Sequence, residues 1–166
     1  DDSWEQDNYH ERLAETVGEH LGKGSPVIYL PYWNNAHLTD IFTSKKAQER
    51  AFNTDPLLIK LGDVANEALF ELYPTTAGRS AELFGHDQVN EAAWRRRLIE
   101  LAAQEQQTFF VGAYTRACVA DVAEMVLSRT GLDVFIDPDL SVDIQGEGYV
   151  ATDLVAVPYG SLHSQN

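Results

Sequence analysis

The segment from residue 108 to residue 137 constrains the fold of this chain more than any other part of its sequence. It begins with T-F-F-V, a continuous apolar run of strand length. From Val119 onward, apolar residues recur at i, i+3, i+4, i+7 and i+8, which is the pattern of one helix face. Gly131 ends that helix, and residues 132–137 are a second apolar run that Pro138 closes. A β–α–β unit of about 30 residues has parallel strands, so the sequence predicts an α/β fold.

The start of the chain predicts a helix followed by a buried strand. Apolar residues recur every four positions and form one helix face: Tyr9, Leu13, Val17 and Leu21. Gly22 and Gly24 follow this face directly, and glycine commonly ends a helix. Residues 26–32 are an apolar run of strand length bounded by prolines. The pattern indicates a helix that packs by one face and leads into the sheet.

Two more helices are predicted between this strand and the β–α–β unit. Residues 54–56 (T-D-P) combine a capping residue with proline at the first helical position. Apolar residues at helical spacing extend this helix toward Pro74: Leu57, Leu61, Val64, Ala65, Ala68 and Leu72. The next helix, residues 88–107, carries three consecutive arginines at 95–97. A solvated face that neutralises part of the acidic surface is the favoured interpretation of these arginines, with anion or partner binding as the alternative.

Length and pattern together indicate one domain. Strand-like runs at residues 140–144 and 149–157 follow the β–α–β unit, and no linker or repeat divides the chain. A chain of 166 residues is about one domain. We therefore expect a single α/β domain over residues 1–166, with three layers and a mostly parallel sheet that has helices on both faces.

The charge balance excludes two classes of partner. The chain has 26 acidic and 12 basic residues, a net charge of −14. A field of that sign repels nucleic acid and anionic lipid, so neither is expected as a partner. No apolar run approaches the ~20 residues of a membrane helix, and the start does not resemble a signal peptide. A single cysteine excludes an intramolecular disulfide framework, and we expect an intracellular, cytoplasmic protein.

The only cysteine, Cys118, falls at the turn between the first strand and the helix of the β–α–β unit. Ligands of open α/β sheets bind outside the carboxyl ends of strands. A helix N-terminus supplies free N–H groups and a positive dipole end, which lower the pKa of a thiol. Position alone leaves two interpretations open: a nucleophile, or a small buried hydrophobic residue, as most lone cysteines are.

The residues around Cys118 follow an order that resembles a known family. Gly-x-x-Thr-x-x-Cys-Val precedes an alanine-rich helix, a glycine and an apolar strand that ends in Asp: Gly112, Thr115, Cys118, Val119, Ala123, Gly131, Val134 and Asp137. This pattern resembles the nucleophile region of the cysteine-hydrolase superfamily, which includes isochorismatases, nicotinamidases and related amidases. Residues 25–29, and Ser80-Ala81 with Phe84, are similar to two less specific stretches of it. The order and spacing fit most of the chain and imply an isochorismatase-like, Rossmann-type sheet.

The resemblance implies a site and a mechanism. Cys118 would attack an amide or similar carbonyl of a small-molecule substrate, and backbone N–H groups of Cys118 and Tyr114 would form the oxyanion hole. The candidates for the substrate pocket are Tyr32, Trp33, Arg79, Phe84 and Thr115. No cofactor and no metal are expected, because Tyr32, Asn34 and Asn35 stand where nicotinamidases carry metal ligands, with only His37 nearby.

Two activating groups of the superfamily are missing from the pattern. The family activates its cysteine with an aspartate from the first strand and a lysine from a later loop. Residues 72–76 (L-Y-P-T-T) stand in the place of the lysine, and no lysine follows Lys60. Arg79 is the nearest cation, and a guanidinium is a poor proton shuttle. The strand that bears the aspartate would lie upstream of Asp1.

The missing strand also predicts something about the sheet. It is central in the family, so its loss would leave two facing rows of unpaired backbone groups in the core. We therefore expect that a strand from outside residues 1–166 completes the sheet.

Three functions are compatible with these patterns. The first is a structural or assembly subunit with a degenerate hydrolase centre, working with a protein partner or as a homo-oligomer. The second is an active cysteine hydrolase or amidase that uses Cys118 on a small amide or ester, with Arg79 or His86 as a rearranged activator. The third is a non-enzymatic α/β binding module.

Overall fold

The computed structural model describes residues 2–31, 55–73, 88–113, 119–142 and 154–160. Ten elements occur in these ranges, in the order α1 (Asp2–Gly22), β1 (Val27–Leu30), α2 (Pro56–Leu61), a 3₁₀ helix (Gly62–Asn66), β2 (Phe70–Leu72), α3 (Gln88–Gln104), β3 (Gln107–Ala113), α4 (Ala120–Thr130), β4 (Asp133–Val142) and β5 (Leu154–Tyr159). The chain is therefore α/β, as the sequence predicts.

The five strands form one mixed sheet in the order β2-β1-β5-β3-β4. β1 pairs with β2 in parallel, and β3 pairs with β4 in parallel. The central strand, β5, is antiparallel to both of its neighbours, β1 and β3. The expectation of a mostly parallel sheet is corrected: two of the four pairings are antiparallel, because one reversed strand lies in the middle of the described sheet.

The position of β5 overturns the expectation of a strand from outside the chain. β5 lies between β1 and β3, where Leu154 pairs with Leu30 and Val155 pairs with both Tyr29 and Val111. Its side chains Leu154, Val155, Ala156 and Val157 are at most 1% exposed. The prediction was wrong because it treated residues 149–157 as a later addition to the sheet. Because β5 pairs on both sides, it satisfies the backbone hydrogen-bonding groups of β1 and β3 that a gap between them would have left unpaired.

The four helices pack on this sheet through two separate apolar clusters. Successive side chains of a strand point to opposite faces, and along β1 Val27 and Tyr29 join one apolar cluster while Ile28 and Leu30 join the other. The first cluster contains buried residues of α1 and α2: Tyr9, Leu13, Val17, Leu21, Leu57, Leu58 and Leu61. The second contains buried residues of α3 and α4: Trp94, Leu98, Leu101, Ala102, Val122, Ala123 and Val126. All four side chains of β1 are buried, as expected of a strand covered on both sides.

The first helix follows its predicted pattern. The apolar stripe from Tyr9 to Leu21 is buried, and the hydroxyl of Tyr9 donates a hydrogen bond to the carbonyl of Leu140 at 3.0 Å. The helix ends at Gly22, and Gly24 has a φ of 84°. None of the helices in the described ranges is long and apolar enough to cross a membrane.

The β–α–β unit is confirmed, with two corrections. β3, α4 and β4 lie where the periodicity predicts, and Gly131 ends α4 with a φ of 69° and a ψ of 7°. Leu127 is 45% exposed, although the pattern placed it on the buried face. β4 also continues through Pro138 to Val142. A bulge accommodates that proline, since Phe110 pairs with Ile136 while Gly112 pairs with Ser141.

The predicted second helix is wrong beyond its first turns. α2 ends at Leu61, because Gly62 takes a φ of 58° and a ψ of −130°, a conformation that few residues other than glycine adopt. A 3₁₀ helix follows, and Phe70–Leu72 pairs with β1 as strand β2. Residues at helical spacing thus became a strand because β1 offered a partner for their backbone.

Candidate functional site

At one end of the sheet, the strand termini lie in the arrangement next to which α/β proteins bind ligands. The parallel strands β1 to β4 end there, and the antiparallel strand β5 begins there. The carboxyl edge, as we call it, is bounded by these residues: Leu30, Leu72, Ala113, Val142 and Leu154. Ligands of open α/β sheets bind outside such an edge.

The site residues that the sequence predicts lie outside the described residues. These are Cys118 and Tyr114, proposed for nucleophile and oxyanion hole, and the pocket candidates Tyr32, Trp33, Arg79, Phe84 and Thr115. His37, His86 and Arg116 lie outside them as well. The described structure therefore supplies the frame of the candidate site: the strand ends before these segments and the helix after Cys118.

The backbone at the end of β3 departs from regular strand geometry. Gly112 has a φ of 120°, in the region that favours glycine. The register shift between β3 and β4 falls at the same place. Bulges of this kind often re-aim the chain beside functional sites. Gly112 is the first residue of the motif that resembles the nucleophile region, and its conformation gives a physical reason for glycine there.

The start of α4 is anchored in the core. Val119, which directly follows Cys118 in the sequence, is 0% exposed and belongs to the apolar cluster beneath α3 and α4. Its φ of −64° and ψ of −48° are helical, and its side chain caps no backbone N–H. The helical backbone conformation therefore already includes the residue before Ala120.

A buried carboxylate lies at the start of α2. Asp55 is 4% exposed, and its Oδ1 accepts a hydrogen bond from the backbone N–H of Leu58 at 3.0 Å. Its Oδ2 accepts one from the hydroxyl of Tyr29, at 2.7 Å. This carboxylate caps α2 and ties it to β1. The aspartate–proline pair at 55–56 predicted the cap, whereas the tyrosine partner carries no local sequence signal.

A second polar group lies where β2 ends, and the sequence pattern missed it. The guanidinium of Arg97 contacts both carboxylate oxygens of Glu71, with Nε at 3.0 Å from Oε1 and Nη2 at 2.9 Å from Oε2. The hydroxyl of Tyr73 donates to Glu71 Oε1 at 2.8 Å. Burial, and then this hydrogen bond, raise the pKa of Tyr73 to about 12. The group fixes β2 to α3 and keeps Tyr73 protonated.

Among the described residues, the cation at the end of β2 is Arg97, and Glu71 pairs with it. Lys23 lies before the amino end of β1, at the other edge of the sheet. The Nζ of Lys60 lies 3.6 Å from Oε1 of Glu11 on α1. Among the described residues, no three His, Cys, Asp or Glu side chains are placed to hold a metal ion.

A ring cluster at the opposite edge was also missed. The imidazole of His20 lies with its centroid 5.6 Å from the ring of Phe109 and 5.7 Å from that of Tyr159. Burial lowers the pKa of His20, and nearby Lys23 lowers it further. His20 lies outside the apolar stripe of α1, which runs from Tyr9 to Leu21. The strands that bring the two rings to α1 are far apart in the sequence, so no local pattern could reveal the cluster.

Comparisons with family models, with curated proteins and with solved structures find no match to this chain.

Proposed function

We propose that this chain is an isochorismatase-like, three-layer domain of the cysteine-hydrolase type whose catalytic centre is degenerate, and that it serves as a structural or assembly subunit. The resemblance around Cys118 suggests the ancestry. The well-packed frame of β3, α4 and β4 supports a fold that is retained while its chemistry is not.

The direction of β5 is the observation that carries this proposal. In the superfamily that the sequence resembles, the central strand supplies the activating aspartate. β5 runs antiparallel to both neighbours, so its carboxyl end, Tyr159, lies at the edge opposite the carboxyl ends of β1 and β3. A central strand of this direction supports a centre without the family's aspartate. The missing lysine supports the same conclusion, because both groups are needed to activate the thiol.

Alkylation of Cys118 tests the degenerate centre. Cys118 is the only cysteine, so iodoacetamide uptake by the native protein reports on it alone. We expect a midpoint at or above the ordinary thiol value of ~8.5 between pH 5 and pH 10, or reaction only after unfolding. Turnover of small amides should be equal in the wild type and in Cys118→Ser. A midpoint well below ~8.5, together with turnover lost in Cys118→Ser, would contradict the proposal.

The assembly role needs a separate measurement. Sedimentation velocity over a range of protein concentrations should show a defined oligomer, or a stable complex with a co-purified protein. A chain that stays monomeric and inert would refute the assembly role and favour the α/β binding module instead.

An active cysteine hydrolase is the second candidate, and the start of β5 favours it. Asp153 lies outside the described residues but immediately precedes Leu154 in the sequence, and Leu154 pairs with Leu30 at the carboxyl edge. If the carboxylate of Asp153 reached the thiol of Cys118, it could activate the thiol without a parallel central strand. If Asp153→Asn and Cys118→Ser each abolish amide turnover while the conservative Asp153→Glu retains part of it, this candidate replaces the first.

A further inference from the structure

β4 lies at one side of the sheet, and its outer backbone groups pair with no strand among the described residues. It is the last strand in the order β2-β1-β5-β3-β4, and its ladder to β3 is the only one that this part of the chain gives it. An edge strand presents a row of N–H and C=O groups to which a further strand can pair. β2, at the other side, has three residues, whereas β4 has ten. β4 is therefore the better template of the two.

The half of β4 before Pro138 is regular enough to accept another strand. Its register with β3 runs without a shift from Asp133 to Ile136. The shift follows, and Pro138 has no N–H to donate to a neighbouring strand. We call the outer row on residues 133–137 the open side of β4.

An exposed phenylalanine lies in this half of the strand. Phe135 is 44% exposed, although Phe109, its partner in the ladder, packs partly against the cluster of α1 and α2. Its neighbours Val134 and Ile136 pack against the cluster of α3 and α4. Aromatic side chains gain from apolar side chains on the next strand. Phe135 can therefore offer an added strand an apolar contact.

The aspartates of the open side determine which charge can pair with it. Asp133, Phe135 and Asp137 alternate along the strand, so they share one face. Neither aspartate forms an ion pair with a residue that the structure describes. Like charges on facing residues of two strands are destabilising, whereas opposite charges are stabilising. A second copy of this chain, with its net charge of −14, is therefore disfavoured as the added strand, and a basic segment is favoured.

We propose that the open side of β4 binds an extended basic segment of another protein as an added strand. Lys or Arg would lie beside Asp133 and Asp137, and an apolar residue beside Phe135. Strand addition takes its affinity from main-chain hydrogen bonds and its selectivity from alternate side chains. The inference deepens the proposed assembly role and rests on it, since it names the chemistry of the partner.

Two peptides test the charge of the partner. Acetyl-Lys-Thr-Val-Thr-Lys-amide places two lysines and the valine on one face, and acetyl-Glu-Thr-Val-Thr-Glu-amide differs from it only in charge. In ¹⁵N-labelled protein, the lysine peptide should shift the backbone amide signals of residues 133–137 in a saturable way that salt weakens. The glutamate peptide should shift none of them. No shift with the lysine peptide, or equal shifts with both, would overturn the proposal.

A methylated peptide separates strand pairing from simple attraction between charges. N-methylation of the three inner residues of the lysine peptide keeps its charge but removes the N–H groups that a strand donates to its neighbour. This peptide should leave the β4 signals unchanged, and equal binding would refute strand addition. The peptide comparisons use the wild-type chain, so they hold even if a substitution disturbs folding.

Matched variants locate the charges that matter. Asp133→Asn/Asp137→Asn should bind the lysine peptide about fivefold more weakly, since two cross-strand charge pairs are lost. The control Asp63→Asn/Glu67→Gln removes two exposed carboxylates just before β2, at the other side of the sheet, and should leave the affinity unchanged. Equal weakening in both variants would contradict the assignment to β4.

The peptide titration and the sedimentation experiment can fail separately. A chain that sediments as a defined complex but does not bind the lysine peptide would refute this inference and leave the assembly role standing. A monomeric, inert chain that binds the peptide at β4 would refute the assembly role and keep the strand-binding site. Shifts of the same signals when the protein concentration alone is raised would show that a second copy occupies the open side, which would also refute the inference.

Discussion

The two parallel strand pairs of this sheet are connected in different ways, although both flank the same central strand. β3 and β4 are joined through α4, an 11-residue helix that ends at a left-handed glycine. In the connection between β1 and β2, the described part is a six-residue helix followed by a 3₁₀ helix. The first connection follows its sequence periodicity almost throughout. The second departs from it after Leu61.

The difference shows where local and tertiary forces decide. The buried face of α4 repeats with helical spacing, and no contact outside the unit is needed to predict it. α2 depends on partners from elsewhere, because its cap, Asp55, is held by Tyr29 of β1 and its end is set by the backbone of Gly62. We therefore expect the β1–β2 connection to be the more sensitive of the two to single substitutions.

The largest effect should come from removing β5, which both strand pairs share. Deleting residues 154–166 exposes the two inner strands and removes five buried side chains. Each large one contributes about 1.5–3 kcal/mol against a total stability of about 5–15 kcal/mol. We expect no cooperative thermal transition in circular dichroism. A control that ends at Gly160 should melt as the full chain does. A folded 1–153 fragment would mean that some other strand completes the sheet.

The next largest effect should be a difference in stability between substitutions at the starts of α2 and α4. Asp55→Ala removes the cap of α2 and leaves the buried Tyr29 hydroxyl without this acceptor, so we expect a loss of about 3 kcal/mol in the free energy of unfolding. The matched change at α4, Asp121→Ala, alters an exposed residue and should cost about 0.5 kcal/mol or less. Urea denaturation of both variants measures the difference. Equal losses would show that the two helices depend on their starts to the same degree.

Alanine substitutions at the glycines that end these two helices should differ less in their cost to the free energy of unfolding. A Cβ at Gly62 or at Gly131 would meet no atom within 4 Å, so the backbone conformation alone sets the cost of alanine. Gly131 lies in the left-handed region, where alanine costs about 1 kcal/mol. Gly62 lies outside it, and we expect about 2 kcal/mol for Gly62→Ala. The same denaturation experiment decides, and a larger loss at Gly131 would contradict this ranking.

The smallest effect is a pH dependence at the end of β2. The pKa of Tyr73 is raised to about 12 by burial and by its hydrogen bond to Glu71. Because the folded pKa exceeds the unfolded value near 10, its contribution to stability is complete below pH 10 and is lost as the pH rises toward 12. Absorbance at about 295 nm should show late ionisation of Tyr73, as expected for a phenol shifted above ~10, together with that of Tyr159, whose pKa burial also raises.

Two variants assign that late step. Tyr73→Phe should remove the part of the late absorbance change that belongs to Tyr73, and Glu71→Gln should move that part to lower pH, because the ionised phenol no longer faces a carboxylate. An unchanged titration in Tyr73→Phe would assign the step to another tyrosine.

Much of the fold was predictable because the apolar residues of its helices and strands recur at short, regular spacings. The stripe of α1 and most of the β3–α4–β4 unit were identified from spacing alone. The failures have specific causes. Leu72 continues a helical spacing, but it pairs with Tyr29 in the sheet. Pro138 would end most strands, but a bulge accommodates it within β4. In both places a neighbouring strand outweighed the local preference.

The candidate site was predicted less completely. The motif at Gly112 led to the carboxyl edge, and the positive φ of that glycine agrees with a special backbone role. The ion pair of Arg97 with Glu71 and the ring cluster around His20 were not predicted. Each joins elements that are distant in the chain, and a run of charges carries no information about which of its members will be paired.

The sequence by itself determined which segments of this protein are amphipathic, because side-chain periods of 3.6 and 2 are local properties of helices and strands. Only the tertiary structure decided that β5 enters the middle of the sheet and runs against its neighbours. Strand order and direction depend on which backbone hydrogen-bonding groups still lack partners, and which apolar faces are still uncovered, once all segments have come together. That requirement belongs to the whole chain, and no window of the sequence contains it.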